Sequence, residues 1–326
     1  MAGIGRYTDR RHAVAETFCR ERGLEILNAS LTTDPTKGGY LVQDELTRAS
    51  LFIMSRIGAA RKLSTFVPMT SATVAVPVET SGPAVQYISE YGAITGADAE
   101  WGQVRIDAHK RGAIGYISEE LEGDALVRYT DTYVDSISRA LARVEDREFA
   151  IADGTSDFGG EVGLIPTLAA GGTVEATGAD AWEDLTMAHF GALVAKLPEQ
   201  YADGSEGFIC SSSFYAMGML RAAGGAAQGF ADDGTPLFMG KKVHLLPAMP
   251  STSAAATVCC LYGNWRESAL FGDRGLRFAI STQCPEVFDK GLIALRAISR
   301  YGLVIRNGGT ASAAGSFVGL KTAAAS

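Results

Sequence analysis

The chain has 326 residues, 47% hydrophobic and 20% charged, enough to bury a sizeable core without a disulfide or metal staple. Its formal net charge of −8, from 29 Lys and Arg against 37 Asp and Glu, argues against a sequence-independent nucleic-acid binder, which needs a basic excess to neutralise phosphates. No run approaches the roughly 18 apolar residues of a membrane span and no secretory signal is visible, so about two soluble cytoplasmic domains are expected, with no membrane partner.

Residues 9 to 22 are predicted to form a short helix, with Thr8 as its N-cap and Val14 and Phe18 on one face. The first 30 residues carry five Arg against four acids, a net of +1 and too weak an excess to mark a DNA-binding tail. From Asn28 the segment NASLTTDPTKGGYLV has no apolar face of its own and reads as a leader or an arm laid across something else. A helix is expected from Asp44 to Ile57, with Leu46, Phe52, Ile53 and Ile57 on its apolar side.

Thr73 to Val78 reads as a strand, confined to an edge by Pro77, which cannot donate to a ladder. Gln103 to His109 alternates strictly, the pattern of a strand with one covered and one wet face. Between them, Ser81 to Gly102 is rich in Gly, Ser and acids yet carries Tyr87, Tyr91 and Trp101. A connection this long is usually functional, and a bare two-stranded hairpin is stable only when something else covers it. Ser118, Glu119 and Glu120 suggest the cap and first turn of a short helix that breaks near Gly123.

The strongest helical pattern runs from Ala125 to Asp153. Leu126, Thr130, Val134, Ile137, Leu141 and Val144 recur every three or four residues, while Asp135, Arg139, Arg143 and Arg147 fall off that stripe. Asp153-Gly154-Thr155 supplies its stop. Further on, helices are expected over Trp182 to Leu197 and Ser212 to Ala222, and strands over Gly207 to Cys210, Lys242 to Leu246 and Thr257 to Tyr262. Two apolar runs follow, around Leu292 and from Tyr301 to Ile305. The class is α+β, with no repeat of 20 to 50 residues.

Chemistry is hard to find in this sequence. His12, His109, His189 and His244 include no pair at HExxH spacing. Ser211-Ser212-Ser213 lacks the glycines of a nucleophile elbow. Gly240-Lys241-Lys242-Val243 lacks the rest of a P-loop and reads as a turn entering a strand. Asp232-Asp233-Gly234-Thr235 reads as a tight turn, with no EF-hand glutamate after it. Glu119, Glu120, Glu122 and Asp124 complement a helix dipole more simply than they make an acid–base pair. The cysteines, Cys19, Cys210, Cys259, Cys260 and Cys284, form no disulfide framework; Cys259 and Cys260 would point to opposite faces of a strand as small buried hydrophobes. Trp101, Tyr87 and Tyr91 have the stacking surface for bases, but Glu90, Asp98 and Glu100 around them favour a protein contact. No catalytic residue, cofactor or metal site is assigned, and projecting elements without a private core suggest a subunit completed by its neighbours.

Six segments in order resemble the Hong Kong 97-type major capsid proteins of tailed bacteriophages. They are GGYLVQDEL (38–46), FVPMTSATVAVPVET (66–80), EYGAITGADAEWGQVRI (90–106), ALARVEDREFAIADGTSDFGGEVGLI (140–165), GTPLFMGKKVHLLPAMP (near 235–251) and YGNWRESALFGDRGLRFAI (262–280). The second and third are similar to the strands and tip of that family's extended loop, and the fourth to the end of its spine helix. The resemblance implies a Hong Kong 97-like fold: leader and N-terminal arm (1–43), a helix joining the peripheral domain (44–62), an extended loop (63–116), a peripheral domain with the spine helix (117–165 and 276–303), and an axial domain (166–275 and 304–326). It further implies a shell of hexamers and pentamers around double-stranded DNA held without sequence-specific contact, assembled in the bacterial host cytoplasm with portal and scaffold or decoration proteins. Inter-subunit contacts would come from Tyr87, Tyr91, Trp101 and Arg105 in the loop and from Lys37 and Tyr40 in the arm. Some members crosslink a loop lysine to a neighbour's asparagine with help from a glutamate. Here no Lys lies between Lys62 and Lys110, and the other two positions are Gly291 and Ile298, so no self-crosslinking is expected. An encapsulin-like nanocompartment shell, a gene-transfer particle and, from a different class, a soluble α+β enzyme remain the alternatives.

Overall fold

The computed structural model describes residues 58–81, 87–88, 100–120, 129–224, 229–282, 287 and 289–324. The helices expected at 9–22 and 44–57, the arm with Lys37 and Tyr40, Tyr91, and the acids Glu122 and Asp124 lie outside these residues.

Helix α1 (Ala59–Leu63) starts at Gly58, whose extended backbone caps it, so the helix expected over 44–62 does not run unbroken into this segment. Strand β1 (Thr65–Pro68) is followed by β2 (Thr73–Ser81), β3 (Glu100–Asp107) and β4 (His109–Ser118). The run Phe66 to Thr80, expected as one loop strand, is therefore two: β1 pairs in parallel with β10 (Ala269–Ser281), and β2 pairs with β3. The alternating strand expected from Gln103 to His109 ends at Asp107, and His109 already belongs to β4.

A four-stranded sheet runs β1-β10-β11-β4, with β11 spanning Leu292–Ile305. The two apolar runs around Leu292 and Tyr301 are thus one 14-residue strand, antiparallel to β10 on one side and to β4 on the other. Leu295, Ala297, Ser299, Tyr301 and Leu303, at alternate positions, are buried, while Arg296 and Arg300 face solvent.

Helix α2 (Tyr129–Ile151) is 23 residues long, about 35 Å at 1.5 Å per residue. Val134, Ile137 and Leu141 are buried as their spacing predicts. Val144, expected on the same stripe, is 42% exposed; its place is taken by Glu145, Asp146 and Glu148, buried with Phe149 and Ala150. Close approach to the sheet is permitted by Gly115, where an added Cβ would overlap the Tyr133 ring. The helix stops two residues before Asp153, and Gly154 then adopts φ +81°, conformationally cheap for glycine, with its N–H donating to the Glu161 carbonyl.

The second sheet has the order β5-β12-β9-β6-β8-β7, from β5 (Thr173–Ala176), β6 (Gly207–Cys210), β7 (Leu237–Phe238), β8 (Lys241–Leu245), β9 (Val258–Gly263) and β12 (Phe317–Thr322). An aromatic core packs on it: Trp182 meets Phe214 edge-on at 5.3 Å, and Phe190 and Phe208 both meet Phe238. The helix expected over Trp182 to Leu197 is interrupted. A 3₁₀ turn (Trp182–Asp184) is followed by α4 (Met187–Lys196), because Thr186 and His189 form a reciprocal capping box there; α3 is Leu164–Thr167. The helix at 212–222 contains a π-helical stretch, Tyr215–Met219, and Ser211 caps its start. Met239 and Gly240 both have positive φ and make the two-residue hairpin from β7 to β8, so the Gly240-Lys241-Lys242 segment is a turn entering a strand. Asp233 accepts from the Thr235 N–H in a tight turn. Cys210, Cys259 and Cys260 are buried free thiols, and burial pushes Cys259 up to about 12, so each packs as a small apolar side chain.

Candidate functional site

The hairpin β2–β3 is anchored at its root and bare further out. Ile106, fully buried, sits over the cross-strand pair Gly272 and Gly302, where an added Cβ would come within 2.8 and 2.9 Å of its Cγ2. Met69 and Leu270 complete that seat, with Val74, Val76 and Val104 packed against it. Outward along β3 the alternation places Trp101, Gln103 and Arg105 on one exposed face. Trp101 is 66% exposed, and Tyr87 and Ile88 also face solvent. Arg105 is tethered within its own hairpin: its Nε donates to Asp107 at 3.0 Å, and the Thr73 hydroxyl donates to the same oxygen at 2.6 Å. These two donors hold the Asp107 carboxyl below the usual carboxylate range.

At the other side of the sheet, a chain of buried charges fastens α2. Arg61 of α1 forks onto Glu145 at 2.7 and 2.8 Å and reaches Asp273 of β10 at 2.9 Å. Burial works against its charge, but the two carboxylates outweigh that cost and keep the guanidinium ionised. The Ala60 N–H donates to Asp146 at 2.8 Å; burial still pushes that carboxyl up to about 6. Arg111 of β4 forks onto Glu148 at 3.0 and 2.6 Å, lies 3.8 Å over the Tyr301 ring, and touches Glu161 at 3.5 Å. Tyr301 donates its hydroxyl to Glu148 at 2.9 Å, and the Leu303 N–H donates to Glu161 at 3.0 Å. With the Arg111 fork already taken by Glu148, burial pushes Glu161 up to about 7.

These carboxylates are saturated by arginines, backbone donors and a tyrosine, and their arrangement is that of a fastening. Sequence reasoning missed them because acids on a helix are read as its wet face. A cleft of about 280 Å³ between α1 and β8 contains His244, but burial and Lys242 push this imidazole down to about 4, leaving it neutral. Among the described residues no three His, Cys, Asp or Glu side chains come together as a metal site, and no helix is long and apolar enough to cross a membrane.

A sheet and long helix locked by internal ion pairs, with an exposed aromatic hairpin rooted on the opposite face, define a structural subunit. Residues 38–310 match the model of the phage capsid family, and the chain belongs to that family. It is a major capsid protein, and its relatives are shell proteins, not enzymes. No curated protein sequence matches the chain. Solved structures with the same fold include the capsid of an empty GTA (gene-transfer agent) particle, 21% identical with a TM-score of 0.64 over 82% of this chain and 90% of that one. Another is from Mycobacterium phage Bobi, 16% identical with a TM-score of 0.61 over 95% and 99%. A third is from Microbacterium phage Oxtober96, 17% identical with a TM-score of 0.59 over 81% and 91%. All share the mixed helix-and-strand architecture.

Proposed function

We propose that the chain assembles as hexamers and pentamers into an icosahedral shell around double-stranded DNA. In this reading residues 117–165 and 276–303 form a peripheral domain, and 166–275 with 304–326 an axial domain. The arm (1–43), followed by the joining helix (44–62), and the β2–β3 hairpin of the extended loop (63–116) lie over neighbouring copies, whereas β1 and β4 at the two ends of that range pair within the subunit's own sheet. The observation that carries it is the hairpin: its root has a seat in the subunit, yet Trp101 and Tyr87 stay exposed where a neighbour would cover them. Arg105, held by Asp107, would present the aliphatic part of its side chain to that neighbour. Many such modest contacts add up through multivalency. Portal and scaffold or decoration proteins would complete the particle, formed in the host cytoplasm.

Size-exclusion chromatography with electron microscopy tests this. Megadalton particles are expected; a species near 34.3 kDa under assembly conditions would refute the reading. Particles filled with protein and free of nucleic acid would instead favour a nanocompartment. Boiled shells should run as a single monomer band on a denaturing gel, since no lysine lies between Lys62 and Lys110.

A further inference from the structure

Helix α2 sorts its charges against the usual pattern. Its acids Glu145, Asp146 and Glu148 are buried against α1 and the sheet, where Arg61, the Ala60 N–H and Arg111 take them. The face left to solvent between Ser136 and Arg147 therefore keeps only cations: Arg139, Arg143 and Arg147, all exposed and each one turn beyond the last. Asp135 at the border of this face and Asp157 in the turn after the helix form no ion pair with them. Arg139 and Arg143 also make no hydrogen bond among the described residues. Arg147 lies 5.2 Å over the Phe158 ring, which steadies the guanidinium and leaves its N–H edges open. Like charges at this spacing repel, so a helix that carries them gains when an anion settles across the row.

The surroundings of the row select the anion. Small Ser136 and Ala140 lie between the arginines and Val144 stands at the margin, so among the described residues of this face the apolar centre that a protein partner needs is missing. From Arg139 to Arg147 the helix rises about 12 Å. Over that span one strand of a duplex presents about three phosphates. We infer that this arginine row is the subunit's contact with packaged duplex DNA, each guanidinium taking a backbone phosphate without reading sequence, so that α2 lines the inside of the shell. The inference rests on the shell reading above and adds to it a named face and an orientation of the subunit. A chain at a formal −8 has no general affinity for phosphate, so a local row decides where the duplex touches it. Each copy supplies only a few weak contacts, and the many copies of a shell add them up.

Arginine footprinting of particles tests it without any mutation. Phenylglyoxal should modify Arg139 and Arg143 about fivefold more slowly in DNA-filled particles than in particles emptied of DNA, read by mass spectrometry. Arg296 and Arg300, on the far face of the sheet, should react equally in both. In a second measurement the unassembled full-length chain is titrated with a short random-sequence duplex at several salt concentrations. Arg139→Gln with Arg143→Gln should flatten the slope of log affinity against log salt by about 1.8, the share of two phosphates. Equal reactivity of Arg139 and Arg143 in filled and emptied particles would overturn the inference, as would a folded double variant with an unchanged slope. So would a double variant that binds the duplex normally but no longer assembles, which would assign the row to a protein partner. Failure of the unmodified chain to form particles would sink the shell reading itself, while the titration is read on free subunits, so the two failures are distinguishable.

Discussion

The two sides of the four-stranded sheet spend their charges in opposite ways. Toward α2, Arg61 and Arg111 are buried, forked onto carboxylates and stacked on Phe271 and Tyr301. On the far side Arg277, Arg296 and Arg300 are exposed and form no ion pair among the described residues, beside a hairpin on which Trp101 and Tyr87 are bare. A charge removed from water and satisfied within the chain fixes one geometry, and loss of either partner strands the other. An exposed charge without a partner contributes little to its own fold and remains available to another molecule. One side is built to stay shut and the other to meet something.

Glu148→Ala should break the closed side most severely. It removes the forked partner of Arg111, leaving only the longer contact to Glu161 and backbone carbonyls, and strands the buried Tyr301 hydroxyl, for an expected loss of about 3 kcal/mol in urea unfolding of the subunit. Gly302→Val strikes the hairpin seat, where a Cβ would lie 2.3 Å from the Asp107 carbonyl oxygen. It should cost about 2 kcal/mol and expose the Ile106 cluster to hydrogen exchange; an unchanged melt would show that the root is not seated there.

A titration sharpens the comparison further. Glu161 sits at about 7 against an ordinary 4.5, and Asp146 at about 6 against 3.8, so the folded subunit holds these protons more tightly than the unfolded chain. Their contribution to stability is therefore fully present below the unfolded values and is lost as pH rises through about 6 and 7. His244, lowered from 6.5 to about 4, has the opposite sign and withdraws stability as pH falls through that interval. Glu161→Gln should flatten the decline on the alkaline side, read from urea midpoints at several pH values. Trp101→Ala should change subunit unfolding by less than about 0.5 kcal/mol while lowering the yield of particles. Equal loss in both measurements would mean that the ring packs within its own chain.

The sequence revealed the N-terminal part of α2 through the spacing of Val134, Ile137 and Leu141, and the hairpin through the alternation of Gln103 to Asp107. The end of α2 near Asp153 was legible too, but the burial of its last turns was not, because Glu145 and Glu148 find arginines 84 and 37 residues away, a separation no local period reports. Strand β4 was masked by Gly112 and Gly115, poor strand formers by propensity. Gly115 is there because the Tyr133 ring occupies the space its side chain would need. Strand β10 was hidden in the same manner, by Gly272 and Gly275 on either side of the Asp273 bulge. Trp101 and Tyr87 were legible as aromatics in an acidic connection. The exposed cations on the far side of the sheet were not, since Lys110 and Arg300 become neighbours through register alone.

Strand β11 serves both worlds at once. Tyr301 points to the helix fastening, while Gly302 floors the hairpin seat and Arg296 and Arg300 point outward. Parity along 14 residues thus sorts inside from outside, and one inserted residue midway would turn the following side chains through the sheet, sending Arg300 toward the helix and Tyr301 into water. Arg300 is thus one residue from the tyrosine that holds Glu148, with no loop between them.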